Sequence, residues 1–193
     1  MIDFSLTDEQ IMLVEMTHDF VEKEMLPHEE TLERTDALPP ELAASLKKRA
    51  IELGLHACNL PEEVGGGGLD AVSVMLIEKE LGRTSLALAE CAHRPLNILA
   101  SCEGEQVKQF LEPTVRGEKR DCIAMTEPGA GSDLRGMKCK AVLDGNEWII
   151  NGEKHFISQA SISDYCVLFA ATGSEPFEDQ TVKAPRKYIS AFL

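Results

Sequence analysis

The sequence predicts α+β structure in segments: an all-α unit over residues 1–119, then antiparallel β structure over residues 120–193. Three observations predict it. Up to residue 119, apolar residues recur at helical spacing. Beyond it, short alternating or β-branched runs take over. The turn signals of the second part, Asp144-Gly145-Asn146 and Asn151-Gly152, are those of tight β connections. Segregation of this kind argues against an alternating βαβ fold, and no internal repeat is present.

The first helix opens at Thr7, which can cap the N-terminus while Gln10 reaches back to it, and Leu6 can pack on Ile11 as a hydrophobic staple. Ile11, Val14, Phe20 and Val21 make its apolar face, and Pro27 ends or kinks it. Pro39-Pro40 starts the next helix, with Pro40 in the first turn and Leu42, Leu46, Ala50 and Leu53 on one stripe before Gly54 stops it. Asp70 caps a third helix carrying Val74, Ile77 and Leu81. A fourth apolar stretch, residues 85–102, contains Pro95 and is therefore broken or bent, and a fifth helix runs from Glu103 towards Pro113 and Gly117. Gly65, Gly66, Gly67 and Gly68 lie between two helices. With no Gly-Lys-Ser/Thr after them and no clear strand before them, a plain flexible loop is favoured over a phosphate loop.

In the second part, residues 122–125 read as a strand, and residues 137–143 and 147–150 as a hairpin about Asp144-Gly145-Asn146. Residues 154–158, 165–171 and 188–193 complete the strands. Residues 173–187, rich in Pro, Glu and Asp, read as a long, mobile loop.

Bulk properties narrow the function. A 193-residue chain that is 44% hydrophobic and 27% charged can bury a real core. Its net charge of -14 argues against binding nucleic acid or an anionic membrane through a broad surface, since those partners need clustered Lys and Arg. No run is apolar for long enough to span a bilayer, and Met1-Ile2-Asp3-Phe4 does not begin a secretory signal. Cys58, Cys91, Cys102, Cys122, Cys139 and Cys166 form no CxxC pair and read as reduced, mostly buried thiols of a cytoplasmic protein. The histidines make no HExxH motif, His18 and Glu22 read as an exposed helical pair, and no metal site is expected.

The most informative stretch is Thr126-Glu127-Pro128-Gly129-Ala130-Gly131-Ser132-Asp133, a tight loop of small residues after a strand. Gly129 and Gly131 permit backbone shapes other residues resist and let a ligand approach the main chain, while Thr126 and Ser132 add hydroxyls. Such a loop suits a polar, planar or phosphate-bearing ligand. The bare pattern fits a simple turn between strands equally well.

The run resembles the flavin-binding signature of the acyl-CoA dehydrogenases, matching at Ala124-Met125-Thr126-Glu127, at Ala130-Gly131-Ser132-Asp133 and at Gly136. Asn151-Gly152-Glu153-Lys154 with Phe156-Ile157-Ser158 is similar to a second segment of that family. Phe4-x-Leu-Thr-Asp-Glu-Gln10 and Leu60-Pro61-Glu62 resemble its opening and the approach to the glycine run. The resemblance implies a helical domain followed by an incomplete β-barrel-like domain, with FAD as cofactor and an acyl-CoA thioester as substrate. By resemblance, the backbone of Ile123, Ala124, Met125 and Thr126 and the Thr126 hydroxyl meet the pyrimidine side of the flavin, where hydrogen bonds stabilise negative charge on the reduced ring. Gly131 and Ser132 belong to the same cofactor loop, with Ser132 also near the acyl-CoA. Phe156 packs on the flavin ring, where many relatives have Trp; Ile157 follows it, and Ser158 offers a hydroxyl to flavin N5, where relatives often have Thr. Gln159 departs from the usual Asn. Taken alone, Phe156 reads as core filling and Ser158 as a strand-end hydroxyl.

The reaction implied is α,β-dehydrogenation. A carboxylate takes the α-proton, made acidic by polarisation of the thioester carbonyl, while a hydride leaves the β-carbon for flavin N5. Glu127 is the tempting base, but the resemblance gives its position to the flavin loop and places the catalytic Glu in a later helical domain. No catalytic residue is therefore expected in these residues. The expectation is a fragment of a longer protein that binds FAD poorly and is inactive by itself. An unpaired sheet edge would leave it prone to association. The parent would be a homo-oligomer, dimer or tetramer, passing electrons to an electron-transfer flavoprotein in fatty acid metabolism, and cytoplasmic, or mitochondrial after loss of a transit peptide. Two alternatives stand beside this reading. One is a related flavoenzyme of oxidase, reductase or monooxygenase type; the other is a non-catalytic helical binding module. By resemblance, the acyl pocket is walled partly by the helix corresponding to residues 87–99, where His93, Arg94 and Pro95 hint at something other than a long straight acyl chain unless those side chains face solvent.

Overall fold

The computed structural model describes residues 5–92, 94–175 and 186–193. It divides into two compact units, Met1–Glu118 and Lys119–Leu193.

In the helical unit, α1 (Asp8–Phe20) begins with the expected capping box: Gln10 N donates to Thr7 Oγ1 at 3.2 Å, and Thr7 N donates to the Gln10 side chain at 3.1 Å. Its buried face differs from the expected one. Phe20 and Val21 are buried, with Leu13 and Met16 packed against the same core, but Ile11 is 43% exposed and Leu6 is exposed as well. Ile11, nine residues before Phe20, falls about half a turn round a 3.6-residue helix from it and faces away from that stripe, and Thr17 fills a buried position by donating its hydroxyl to Leu13 O at 2.7 Å. Pro27 bends the chain. It has no N–H to offer the preceding turn, so the helix widens into a π turn (Val21–Met25), closed by Leu26 N on Val21 O. It then tightens into a 3₁₀ turn (Leu26–His28) before α2 (Glu29–Thr35).

Helix α3 (Pro40–Glu52) buries Leu46 and Ala50, packs Leu42 and Leu53 on the core, and stops at Gly54, whose φ of +71° is easy only for glycine. Helix α4 (Ala71–Leu81) is capped by Asp70, whose carboxylate accepts from Val72 N at 2.7 Å and Ser73 N at 3.0 Å, and it buries Ile77 and Leu81. Hydrogen bonds from these amides hold the Asp70 carboxyl below its usual range. A depressed folded value means stability that is complete above the unfolded carboxylate value and is lost as pH falls through the folded one. Asp70→Ala is therefore expected to lower the Tm at neutral pH, with the gap to wild type closing in acid, while Asp70→Asn retains most of the cap. Residues 85–102 are broken as expected, into α5 (Leu86–Ala89) and short 3₁₀ turns on either side of Pro95. A further helical stretch passes through a π turn (Val107–Leu111) into α6 (Glu112–Val115).

The glycine run is not a slack loop. Gly65, Gly66, Gly67 and Gly68 donate to Glu62 O, Pro61 O, Ala57 O and Leu60 O at 2.8–3.1 Å. A Cβ on Gly66 would lie 2.2 Å from Leu60 O. These glycines let two backbone passes close on each other, and their committed amides leave nothing for a phosphate.

The second unit is one open sheet of β1 (Asp121–Ala124), β2 (Lys140–Asp144), β3 (Glu147–Asn151), β4 (Tyr165–Glu175) and β5 (Arg186–Phe192). Strands β2 and β3 form the expected hairpin, with Asp144 opposite Glu147 and Gly145 at φ +61° in the first of two turn positions. Strands β4 and β5 are also antiparallel. The sheet as a whole is mixed rather than antiparallel, because β1 and β2 both run parallel to β4. Antiparallel neighbours come from tight turns, whereas residues 125–164 separate β1 from β4 and permit a parallel return. Leu168 pairs with both Ala124 and Phe192, and Ala171 with both Lys140 and Ile189, so β1 and β2 share the edge of β4 opposite β5. Met137, Cys139, Ala141 and Ala170 form the core.

Two further expectations are corrected. Residues 154–158 are not a strand, since Phe156 has φ +56° and breaks extended geometry. Residues 173–175 and 186–187 are paired strand rather than loop, and the rest of the expected mobile loop lies outside the described residues. All six cysteines are free, with Cys58, Cys91, Cys122 and Cys139 buried. Among the described residues no helix is long and apolar enough to cross a membrane.

Candidate active-site loop

The loop after β1 is built on a reciprocal pair of backbone bonds. Glu127 N donates to Ala130 O at 2.9 Å and Ala130 N to Glu127 O at 3.1 Å, which closes a tight turn over Pro128-Gly129. Proline presets φ for the first turn position. Neither Gly129 nor Gly131 has positive φ, so the turn does not need glycine for its backbone shape, contrary to the sequence-based argument. Both have open space where a Cβ would stand. Gly136 is different, because its Cβ would lie 2.9 Å from Gly129 O. Asp133 accepts from Arg135 N and Nε at 3.0 and 2.8 Å, which starts the 3₁₀ turn Leu134–Gly136 and, chiefly through the Arg135 side chain, holds the Asp133 carboxyl low.

Beneath the loop lies a clasp. The Glu127 carboxylate accepts from Lys138 N at 2.6 Å, Cys139 N at 2.9 Å and Lys154 Nζ at 2.9 Å. The Lys154 and Glu127 side chains are only 8% and 4% exposed. Lys154 Nζ also donates to Met125 O at 3.0 Å, and His155 N donates to Thr126 O at 2.8 Å. Burial alone would raise the Glu127 carboxyl, but the two amides and the Lys154 ammonium outweigh it and hold the group below its usual range. A carboxylate saturated by three donors and kept ionised is a structural anchor and a poor general base.

The clasp joins the two stretches that sequence reading selected, residues 123–126 and 154–158. Ala124 is buried and offers only backbone, while Ile123 is part exposed. The Thr126 amide and hydroxyl and the Ser158 hydroxyl make no hydrogen bond among the described residues. The Phe156 ring is 81% exposed, stacked on His155 at 3.7 Å between centroids. It is therefore not core filling. Ser132 is exposed beyond the turn, and no hydrogen bond among the described residues ties it to residues 154–158. His93 lies outside the described residues, and Arg94 Nε is committed to Glu78 at 2.7 Å.

Family models decide what this loop belongs to. Residues 7–118 match the acyl-CoA dehydrogenase N-terminal domain, and residues 122–189 match the acyl-CoA dehydrogenase middle domain. The chain belongs to the acyl-CoA dehydrogenase family. It is 37% identical over 177 residues to a probable acyl-CoA dehydrogenase of Bacillus subtilis strain 168, a match covering 89% of this chain and 29% of that protein. Among solved structures, an acyl-CoA dehydrogenase complexed with FAD from Bacillus anthracis is similar with a TM-score of 0.72 and 31% identity, covering 97% of this chain and 31% of that one. Butyryl-CoA dehydrogenase from Megasphaera elsdenii is similar with a TM-score of 0.72 and 27% identity, covering 98% and 50%. The chain thus spans half or less of the length of these acyl-CoA dehydrogenases.

Sequence reading of this acyl-CoA dehydrogenase chain missed Lys154 and the structural role of Glu127. The available signal was an acid inside one motif and a lysine inside the other, each too polar to be buried alone.

Proposed function

We propose that this chain supplies the flavin-ring side of the site in an FAD-dependent acyl-CoA dehydrogenase that catalyses α,β-dehydrogenation of an acyl-CoA thioester. The observation that carries this reading is Thr126. Its carbonyl accepts from His155 N, while among the described residues its amide and hydroxyl have no partner, beside an exposed aromatic ring and a glycine loop with open space where a Cβ would stand. Thr126 is half-buried, and donors left open beside an exposed aromatic ring fit a flat heterocycle with polar edges. The similar Bacillus anthracis protein was crystallised with FAD.

Bound here, the flavin would supply the two-electron acceptor. The chain's part is to orient the ring. The backbone of Ile123, Ala124, Met125 and Thr126 and the Thr126 hydroxyl would line its pyrimidine edge, Phe156 with Ile157 would cover one face, and the Ser158 hydroxyl would stand near N5. Gly131 and Ser132 would complete the flavin loop, with Ser132 also bordering the thioester. Glu127 holds the loop and leaves α-proton removal to another carboxylate. The acyl-CoA substrate, the electron-transfer flavoprotein acceptor and a homo-oligomeric parent are proposed from family membership.

Titration with riboflavin and FAD tests the reading. Both are expected to bind weakly, as for one side of a site, and to show the same saturable change in the visible flavin spectrum, because the proposed contacts are to the ring. Phe156→Ala is expected to weaken binding several-fold while leaving stability within about 0.5 kcal/mol, as for an exposed side chain. A spectrum unperturbed at saturating protein would remove the proposal.

A further inference from the structure

We propose that the buried Lys154–Glu127 pair is a positioning device that presets the Met125–Thr126 peptide group as a hydrogen-bond donor to the reduced flavin ring. The inference rests on the flavin reading above and adds to it a pair that makes no direct contact with the ring. Lys154 Nζ reaches Glu127 Oε1 at 2.9 Å and Met125 O at 3.0 Å. The Met125 carbonyl and the Thr126 N–H are the two ends of one peptide group. A cation on the carbonyl draws electron density from the amide nitrogen and strengthens its N–H as a donor, and chains of hydrogen bonds reinforce each other in this way. The next peptide group is fixed as well, because His155 N holds Thr126 O at 2.8 Å. The Thr126 N–H is therefore pinned in direction from both sides and, among the described residues, has no acceptor.

Burial makes the effect strong, since a charge sheltered from water acts through a low dielectric. Burial also explains Glu127. An ammonium with its side chain 8% exposed needs a counter-charge, and Glu127 provides one that the Lys138 and Cys139 amides hold in place. The ammonium donates both to the carboxylate and to the carbonyl behind the Thr126 amide, so one buried cation serves the ion pair and the peptide group together. Donors gain strength against a charged acceptor, so the preset N–H favours the reduced ring over the oxidised one.

The test is the ratio of affinities for reduced and oxidised riboflavin, measured anaerobically by fluorescence and absorbance titration with dithionite as reductant. Wild type is compared with Lys154→Met and with Glu127→Gln/Lys154→Met, the double variant leaving no unpaired buried charge. Trp148 emission confirms that each is folded. The ratio is expected to fall three- to tenfold in both variants, the upper figure being about 30 mV for a two-electron couple. A merely structural pair would weaken both forms alike, and an unchanged ratio overturns the proposal. Should neither variant fold, the wild-type amide spectrum decides. The Thr126 amide proton must move further downfield with reduced than with oxidised riboflavin, and equal shifts overturn the proposal. Should wild type bind neither form, the flavin reading itself fails. The coupling is then judged without ligand, where an unmoved Thr126 amide in Lys154→Met sinks it and an upfield shift supports it.

Discussion

Lys154→Met is expected to cost the second unit about 3–5 kcal/mol, the range for breaking a buried pair by removing one partner. The cost comes less from the lost attraction than from leaving the Glu127 carboxylate buried with its ammonium gone. Urea unfolding at pH 7 followed by Trp148 fluorescence measures it. Trp148 is the protein's one tryptophan, and it packs edge-on to Phe192 at 5.4 Å within this unit. Glu127→Gln/Lys154→Met should lose less, because it removes both charges together. The pH dependence follows from the depressed Glu127 value. A carboxyl whose folded value lies below its unfolded value contributes fully above the ordinary glutamate value of about 4.3. That contribution drains as pH falls through the folded value. The difference between wild type and Lys154→Met is therefore expected to be flat from neutrality down to mildly acidic pH and to shrink below it. A difference that grew in acid would contradict the assignment.

Gly152→Ala is expected to destabilise the same unit by about 3 kcal/mol, at the upper end of the range for overpacking. The added Cβ would lie 2.5 Å from Cys139 Cα, 2.6 Å from its Cβ and 2.7 Å from its Sγ. No rotamer change relieves a clash with Cα and Cβ, so one backbone pass has to move. Gly131→Ala is the informative contrast. Nothing lies within 4 Å of its added Cβ and its φ is ordinary, so stability should stay within about 0.5 kcal/mol of wild type while flavin affinity falls. Parallel denaturation and titration of the two variants separate glycine kept for the fold from glycine kept for a ligand.

What the sequence showed in advance was what depends on near neighbours. The Thr7–Gln10 capping box, the Asp70 cap, the proline-led start of α3, the break around Pro95 and the two-residue hairpin turn at Gly145 each involve residues close in the chain. What it hid depends on distant partners. The parallel pairing of β1 with β4 joins Asp121 to Tyr165, and nothing near either residue announces it. Residues 154–158 look extended in composition, yet the left-handed φ of Phe156 ends that, because the preceding bond from His155 to Thr126 draws the chain across the loop. Ile11 is exposed because nine residues carry it about half a turn round the helix from Phe20, so the two cannot share one face. The flavin loop was visible as a motif, but its support was not. Glu127 and Lys154 meet only after the intervening hairpin has folded back.

The mixed order of the sheet has a consequence for how the second unit assembles. The β2–β3 hairpin closes through two residues, and such local closure takes microseconds. Strand β1 is made before it, yet its partner β4 follows only after residue 164, so β1 must wait until the ribosome has released that strand. Pairing across so long a loop carries a larger entropic cost and is slower than local closure. The candidate flavin loop follows directly on β1. It is thus expected to take its final shape in the last step of folding, and a nascent chain paused before β4 would hold a finished hairpin and an unformed loop.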